Sequence, residues 1–387
     1  MTVQMPGQPP KGGPGFGGSG FGGAQPPAPP AKRLEVGDLM PPIGFKRRSG
    51  AAFDPLSDEQ AGKLHVLLFL GSVSKPKCAA FLKAFEAERD ALAEVNAEVQ
   101  IVLTQADFED LAKSGAELPY PVLIDRTPMG DARGFAHLGI GVTYGRVLND
   151  QAGALAIAPN LHVLALAGTE DKKDPAATIL ARAKPVAERR KGGLITQSLP
   201  PVLVVPDVFD ADDCRRLIEI YKTTGKDFVD PGHNQLQGRT TDVKMRIPEY
   251  GRNDRIDHWV CSDETNRIID RKLVPRLMPE IQKAFNYKVT RHERYRIACY
   301  EGARGGSEHG HRDNTLPFVA HRRFAVTLNL NSEQYEGAEL KFPEFGDAVF
   351  KPPSGAAIVF SCSLLHEVMA MRSGTRFALL AFLFGET

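Results

Sequence analysis

The sequence holds no C-x-x-C pair, no excess of either charge, and no run approaching the roughly 18 apolar residues of a membrane span. Its five cysteines (Cys78, Cys214, Cys261, Cys299 and Cys362) are odd in number and far apart. Neither a disulfide framework nor a structural zinc site is therefore indicated, and a reducing compartment follows. The longest apolar runs, such as residues 66–70, have the length of buried strands. No basic stretch followed by an apolar one opens the chain, so no secretion signal is read and a cytoplasmic location is expected. With 48 Lys and Arg against 47 Asp and Glu, nothing argues for an electrostatic grip on nucleic acid or on a membrane surface. No internal repeat is visible.

What is present divides into pieces. A chain of 387 residues is long for one hydrophobic core and predicts two domains. Residues 1–33 are Gly and Pro with a few Gln, Ala and Phe, a composition that buries too little apolar surface to order itself, and they are read as a flexible tail. Residues 34–186 alternate short apolar runs (64–70, 99–103, 120–124, 160–167) with a helix expected near 79–96, the pattern of βαβ units around a mixed sheet. The charged, Gly-containing stretch 187–199 reads as a linker. From 200 onward Asp210 is a good N-cap for a helix reaching Thr224, and a second helix is expected over 262–285. Strands then follow at 296–300, 323–330, 338–342, 356–360 and 376–384. Two helices ahead of many short strands predict a jelly roll, the double-stranded β-helix, with buttressing helices.

The sharpest local feature is the segment 300–313, YEGARGGSEHGHRD. In extended chain, residues i and i+2 face the same way, so His311 and Asp313 can aim a ring nitrogen and a carboxylate oxygen at one point. Two His and one carboxylate on one face of an octahedron leave three positions open, the arrangement of non-haem Fe(II) oxygenases. A jelly roll returns late strands beside early ones, so His366 can supply the third ligand and Arg376 can reach the site from the neighbouring strand. A planar guanidinium suits the 5-carboxylate of a 2-oxoglutarate chelated through its other end.

These residues carry a resemblance. Residues 200–387 resemble the prolyl 4-hydroxylase-like branch of the 2-oxoglutarate/Fe(II) oxygenases, through PDVF at 206–209 with the helix bearing Cys214, the 300–313 block, YEGAELKFP at 335–343, and the run from Gly355 through His366 to Arg376. The resemblance implies a dioxygenase that couples oxidative decarboxylation of 2-oxoglutarate to hydroxylation of a peptidyl or small-molecule substrate. It implies His311, Asp313 and His366 as iron ligands, Arg376 as partner of the 5-carboxylate, and Tyr300 as a hydroxyl donor near the co-substrate. The cofactors implied are Fe(II) and 2-oxoglutarate with O₂, and ascorbate as a further reductant. Thr327-Leu328-Asn329 stands where some relatives place a Tyr, which leaves either Thr327 or Asn329 as a contact to 2-oxoglutarate. Arg376 replaces the Lys of some collagen-type enzymes, which argues against collagen as substrate. The polar stretch 232–255 is expected to be a substrate lid. His309 is read as a rim residue, and His258, His292 and His321 as surface or loop histidines. A jelly roll that senses 2-oxoglutarate or iron without turnover is the alternative within this half.

Residues 34–186 resemble the peroxiredoxin branch of the thioredoxin fold, in LEVGDLMP at 34–41 and YPVLID at 120–125. Cys78 stands where the peroxidatic cysteine would be, at the start of a helix and beside Lys75 and Lys77, and Arg133 would be the arginine that supports its thiolate. The family pattern is degraded, with Gly71 in place of its Pro and Lys75 in place of its hydroxyl residue. The resemblance thus leaves two roles open: a thiol peroxidase working through Cys78, or a redox-silent domain used for docking or for homodimerisation.

Overall fold

The computed structural model describes residues 34–385 except 42, 61, 72, 74, 116, 126–150, 190–198, 231–235, 249–253 and 302–307. The expected tail, Arg133, most of the 187–199 linker and the side chain of His309 lie outside the described residues.

The first half contains, in chain order, β1 (Phe45–Arg47), β2 (Ala52–Phe53), β3 (Leu64–Leu70), α1 (Pro76–Ala87), α2 (Arg89–Glu94), β4 (Ala97–Leu103), α3 (Gln105–Ser114), β5 (Val122–Asp125), β6 (Ala152–Ile157), β7 (Val163–Gly168) and α4 (Pro175–Arg189). Every residue of β3 is buried, as befits an apolar strand covered on both faces. Leu64, Val66, Leu68 and Leu70 pack under the helices, while Leu67 and Phe69 meet Met40, Phe45 and Phe53 from the opening segment. The sheet runs β2-β1-β5-β4-β3-β6-β7, with β3, β4 and β5 parallel and β6 and β7 antiparallel to their neighbours. Three details differ from expectation. The helix expected over 79–96 breaks at Glu88 into α1 and α2. The Ala-rich strand β6 carries little β-propensity and gave no strand signal. Helix α4 continues through Pro185 to Arg189, into the stretch read as linker, because a proline removes a single ladder bond that packing of Ile179, Leu180 and Ala183 outweighs.

The second half contains β8 (Leu203–Val205), α5 (Ala211–Thr223), β9 (Phe228–Val229), β10 (Val243–Pro248), β11 (Asp254–Trp259), α6 (Asp263–Phe285), β12 (Arg291–His292), β13 (Arg296–Glu301), β14 (Glu308–His311), β15 (Phe324–Asn329), β16 (Tyr335–Gly337), β17 (Leu340–Lys341), β18 (Val349–Phe350), β19 (Ala357–Ser361), β20 (His366–Val368) and β21 (Met371–Phe384). Both helices begin where capping predicts. Asp210 and Asp213 form a reciprocal capping box on α5, and the Ser262 side chain accepts from the Thr265 amide on α6. The strands form two sheets of a jelly roll, a large one ordered β8-β19-β15-β21-β13-β11-β10-β9 and a small one ordered β14-β20-β17-β18. Alternation sorts the large sheet's side chains. Ile297 and Cys299 of β13, Val326 and Leu328 of β15, and Phe377, Leu379, Ala381 and Leu383 of β21 pack against α5 and α6. Residues of opposite parity, among them Ala298, Tyr300, Ala325 and Phe382, face the small sheet. Much of the expected 232–255 lid is ordered strand: β10 and β11 pair antiparallel from Val243↔Trp259 to Pro248↔Asp254 and extend the large sheet.

The two halves meet across α6. One stripe of that helix (Ile269, Leu273, Leu277, Ile281) enters the core of the second half. Lys272, Arg276 and Glu280, on another stripe, are buried against the first half. Arg276 donates to Asp38 at 3.0 Å and Glu35 at 3.3 Å, and to the Val208 carbonyl at 2.9 Å. Lys272 pairs with Glu35, and Glu280 meets His162 Nε2 at 2.9 Å. Gly37 lies so close to the Asp207 carbonyl that a Cβ would come within 2.1 Å of it.

Candidate metal and co-substrate site

His311 ends β14 and His366 opens β20, and the two are register partners in the small sheet. Their rings sit 4.4 Å apart between centroids. Asp313 lies just beyond β14, its amide donating to the Cys362 carbonyl at 2.9 Å. From there its carboxylate oxygens stand 3.4 Å from His311 Nε2 and 3.5 Å from His366 Nε2. With metal–ligand bonds of roughly 2.1 Å, neighbouring ligand atoms of an octahedral face would lie about 3 Å apart, so one ion bridges this set with small adjustments. Among the described residues, these three form the only group of His, Cys, Asp or Glu able to hold a metal in this way.

The chain orients these side chains. His366 Nδ1 lies 3.0 Å from the Leu364 carbonyl, a contact that places the proton on Nδ1 and turns the Nε2 lone pair toward the cluster. The Phe360 ring meets His366 edge-on at 4.6 Å. Arg312, on the opposite side of the chain from the ligands, pairs with Glu344 at 2.7 Å and with the Ser363 carbonyl, while Glu344 accepts from the Leu365 amide. These contacts tie β14 to the turn that delivers His366. Burial, with the Asp313 carboxylate adding to it, pushes the Cys362 thiol well above its ordinary range.

Beside the three ligands is a cavity of about 210 Å³ lined by Tyr300, Thr327 and Arg376. Arg376 and Tyr300 are register partners on β21 and β13, with the guanidinium carbon 5.0 Å from the ring centroid. Arg376 is 2% exposed. Its Nη2 donates to Thr327 Oγ1 at 3.1 Å and to Asn329 Oδ1 at 3.3 Å, whereas its Nε and Nη1 make no well-formed hydrogen bond among the described residues, although the Tyr335 hydroxyl stands close enough to interact with the guanidinium. A buried guanidinium with two unmatched donors is costly by itself and well matched to a carboxylate. Both residues left open on β15 therefore contact Arg376, which they orient. Tyr300 OH accepts from Arg255 Nη1 at 3.0 Å, and Arg255 is held by Asp257 at 2.8 Å.

Other expected residues fall elsewhere. Cys78 is 0% exposed in the core of the first half, its Sγ 3.1 Å from the Gln151 carbonyl, out of reach of solvent. His258, expected at the surface, is buried on β11 with Nε2 3.1 Å from Asp242. His321 and His292 keep partial exposure. Sequence reasoning missed Arg255, Arg296 and Arg322, which also line the cavity. Arg296 shares strand parity with Ala298 and Tyr300 and could have been found from that. Arg255 was hidden inside the supposed lid.

Residues 295–384 match the model of the 2OG-Fe(II) oxygenase superfamily. A PKHD-type hydroxylase of Synechococcus sp. (strain JA-2-3B'a(2-13)) is 36% identical over 88 residues, covering 21% of this chain and 38% of the relative. The chain thus spans well under half the length of the curated relatives it matches. Among solved structures, a Pseudomonas putida prolyl-4-hydroxylase aligns over 49% of this chain and 94% of its own at 16% identity and a TM-score of 0.36. The peroxidoxin BcpB of Mycobacterium tuberculosis aligns over 41% and 100% at 20% identity and a TM-score of 0.31. No helix among the described residues is long and apolar enough to cross a membrane. The converging ligands and the family match over the strands that bear them lead to one statement of kinship: the C-terminal half carries a domain of the 2-oxoglutarate/Fe(II) oxygenase superfamily.

Proposed function

We propose that the protein is a 2-oxoglutarate- and Fe(II)-dependent hydroxylase, with His311, Asp313 and His366 as metal ligands and Arg376 as anchor of the co-substrate's 5-carboxylate. The observation that carries this reading is the pairing of a three-ligand cluster with a buried guanidinium that keeps two donors unmatched across the same small cavity. An iron ion held there would supply the activation of O₂ that oxidation of an unactivated C–H bond needs. The reaction balances as substrate, 2-oxoglutarate and O₂ giving hydroxylated substrate, succinate and CO₂.

The chain's own groups do the rest. The Leu364 carbonyl fixes the tautomer of His366. Thr327 and Asn329 hold one edge of Arg376, so its remaining donors are presented at low entropic cost. Phe360 and Leu380 keep the cavity dry. The match to a PKHD-type hydroxylase, and the likeness to a structure described as a prolyl-4-hydroxylase, keep a peptidyl substrate open beside a small-molecule one.

For the N-terminal half we propose a thioredoxin-like domain of structural role. The order β4-β3-β6-β7, with its first pair parallel and the others antiparallel, supports that reading, and the enclosed Cys78 weighs against peroxidase chemistry.

Anaerobic addition of Fe(II) and 2-oxoglutarate to the purified protein should produce a weak visible charge-transfer band, and admission of O₂ should release succinate. Asp313→Ala should show neither. A wild-type protein without band or succinate would sink the reading.

A further inference from the structure

An open groove of about 550 Å³ runs beside the metal cavity and shares Arg296, His311, Asp313 and Arg322 with it. That volume suits a small molecule. Its apolar wall includes Met245, Trp259, Leu316 and Phe318. Leu316 and Phe318 are 53% and 59% exposed, a large apolar pair kept in water at the rim.

The groove's charge is one-sided. Arg296, Arg312 and Arg322 line it, and Asp313 is its only carboxylate among the described residues. Two of the three cations are matched: Arg312 by Glu344 and the Ser363 carbonyl, Arg322 by both oxygens of Glu293 at 2.6 and 2.7 Å. Arg296 is not matched in this way. Its guanidinium carbon lies 4.0 Å from the Trp259 ring centroid and 5.0 Å from that of Phe382, its Nη2 reaches Glu293 only at 3.4 Å, and its Nε is buried with no acceptor. The Trp259 indole N–H is also buried and unmatched. A cation clamped between two aromatic rings is rigid, and its spare donor is expensive to leave unmet.

We propose that the groove takes as prime substrate a small carboxylic acid with an uncharged apolar body, its carboxylate on Arg296 and its body along Trp259 and Phe318. This rests on the oxygenase reading of the adjoining site. An amine-bearing body would place an ammonium beside the guanidinium of Arg296, which lacks a closely matched carboxylate, and this disfavours it. A residue inside a peptide chain carries no carboxylate of its own backbone to offer, which disfavours that class as well.

Trp259 is the only tryptophan of the chain, so intrinsic fluorescence reads the groove directly. The full-length protein, loaded with Mn(II) and saturating 2-oxoglutarate to prevent turnover, is titrated with hexanoate and phenylacetate, and in parallel with hexanamide and phenylacetamide. At least one acid should give a saturable change, with its amide at least tenfold weaker. Arg296→Gln should erase the difference between acid and amide, and Arg296→Lys should retain part of it. The inference is overturned by a flat response to both acids, by amides binding as well as acids, or by an acid preference that survives in Arg296→Gln. Should Arg296→Gln fail to fold, the wild-type comparison and Arg296→Lys still decide. Failure of the oxygenase reading shows separately, as absent succinate release while the tryptophan response persists.

Discussion

Arg376 is held by the fold at a cost that only an acceptor can offset. Its Nη2 is engaged by Thr327 and Asn329, and its Nε and Nη1 are buried without acceptors. Replacing a buried, incompletely paired charge by an apolar side chain of similar length is often neutral or stabilising. Arg376→Met should therefore leave the melting temperature of the ligand-free protein unchanged or higher. The same change removes a charge-assisted contact of roughly 1.5–3 kcal/mol, so the KM for 2-oxoglutarate should rise about ten- to a hundredfold. Thermal unfolding without ligand and steady-state succinate release check the two halves of this expectation. A variant that melts far lower with an unchanged KM would show Arg376 to be structural. At this scale the convergence was legible: a His and an Asp two residues apart, a distant His and a following Arg carry a recognisable order, and the chain does bring them together. Arg255 and Trp259 were not, because nothing in their local spacing marks them, and Arg296 is marked only by sharing strand parity with Tyr300. They meet only through the register of β11 against β13, where Ile256 faces Cys299 and Trp259 faces Arg296.

Among elements, the start of α6 is tied down by several side-chain bonds. Asp242 accepts from the Cys261 and Ser262 amides at 2.7 Å each, from Thr265 Oγ1 at 3.1 Å, and meets His258 Nε2 at 3.1 Å. Burial alone would raise the Asp242 pKa, but the contact with His258 and the two amide bonds hold it down at about 2. A carboxyl whose folded pKa is depressed stabilises the fold above its unfolded pKa, near 3.9, and loses that contribution as pH falls toward 2. Asp242→Asn should thus lower stability by ~2 kcal/mol at pH 7, with the gap to wild type closing between pH 4 and pH 2. Denaturant titrations across that range check it, and a gap independent of pH would refute the assignment. The two helices of the second half were readable from their caps Asp210 and Ser262, and its strands β13, β15, β17, β19 and β21 from their apolar runs. The β10–β11 hairpin was not: Arg246, Arg255 and Asp257 interrupt the apolar alternation, and the polar segment looked like a loop. Arg255 and Asp257 of β11 are buried, where they satisfy each other.

The whole molecule is joined through α6, whose opposite stripes serve two cores. Arg276, 1% exposed, binds Asp38 and Glu35 of the first half and carbonyls at 207 and 208 of the second. Removing one partner of such a buried pair costs about 3–5 kcal/mol. Arg276→Met should separate the unfolding of the two halves, seen as a difference between the Trp259 fluorescence transition and amide exchange in β3, where the wild type should give one transition. Coincident transitions in the variant would show that the halves are joined by other means. The order of strands carries a last consequence. β21, which bears Arg376, is flanked in the large sheet by β13 and β15, both earlier in the chain. On a ribosome the α/β half can therefore close as soon as it emerges, whereas the jelly roll stays split down its middle until the strand with the anchoring arginine arrives. A nascent chain halted just after His366 would carry all three candidate metal ligands with the large sheet still in two separate pieces.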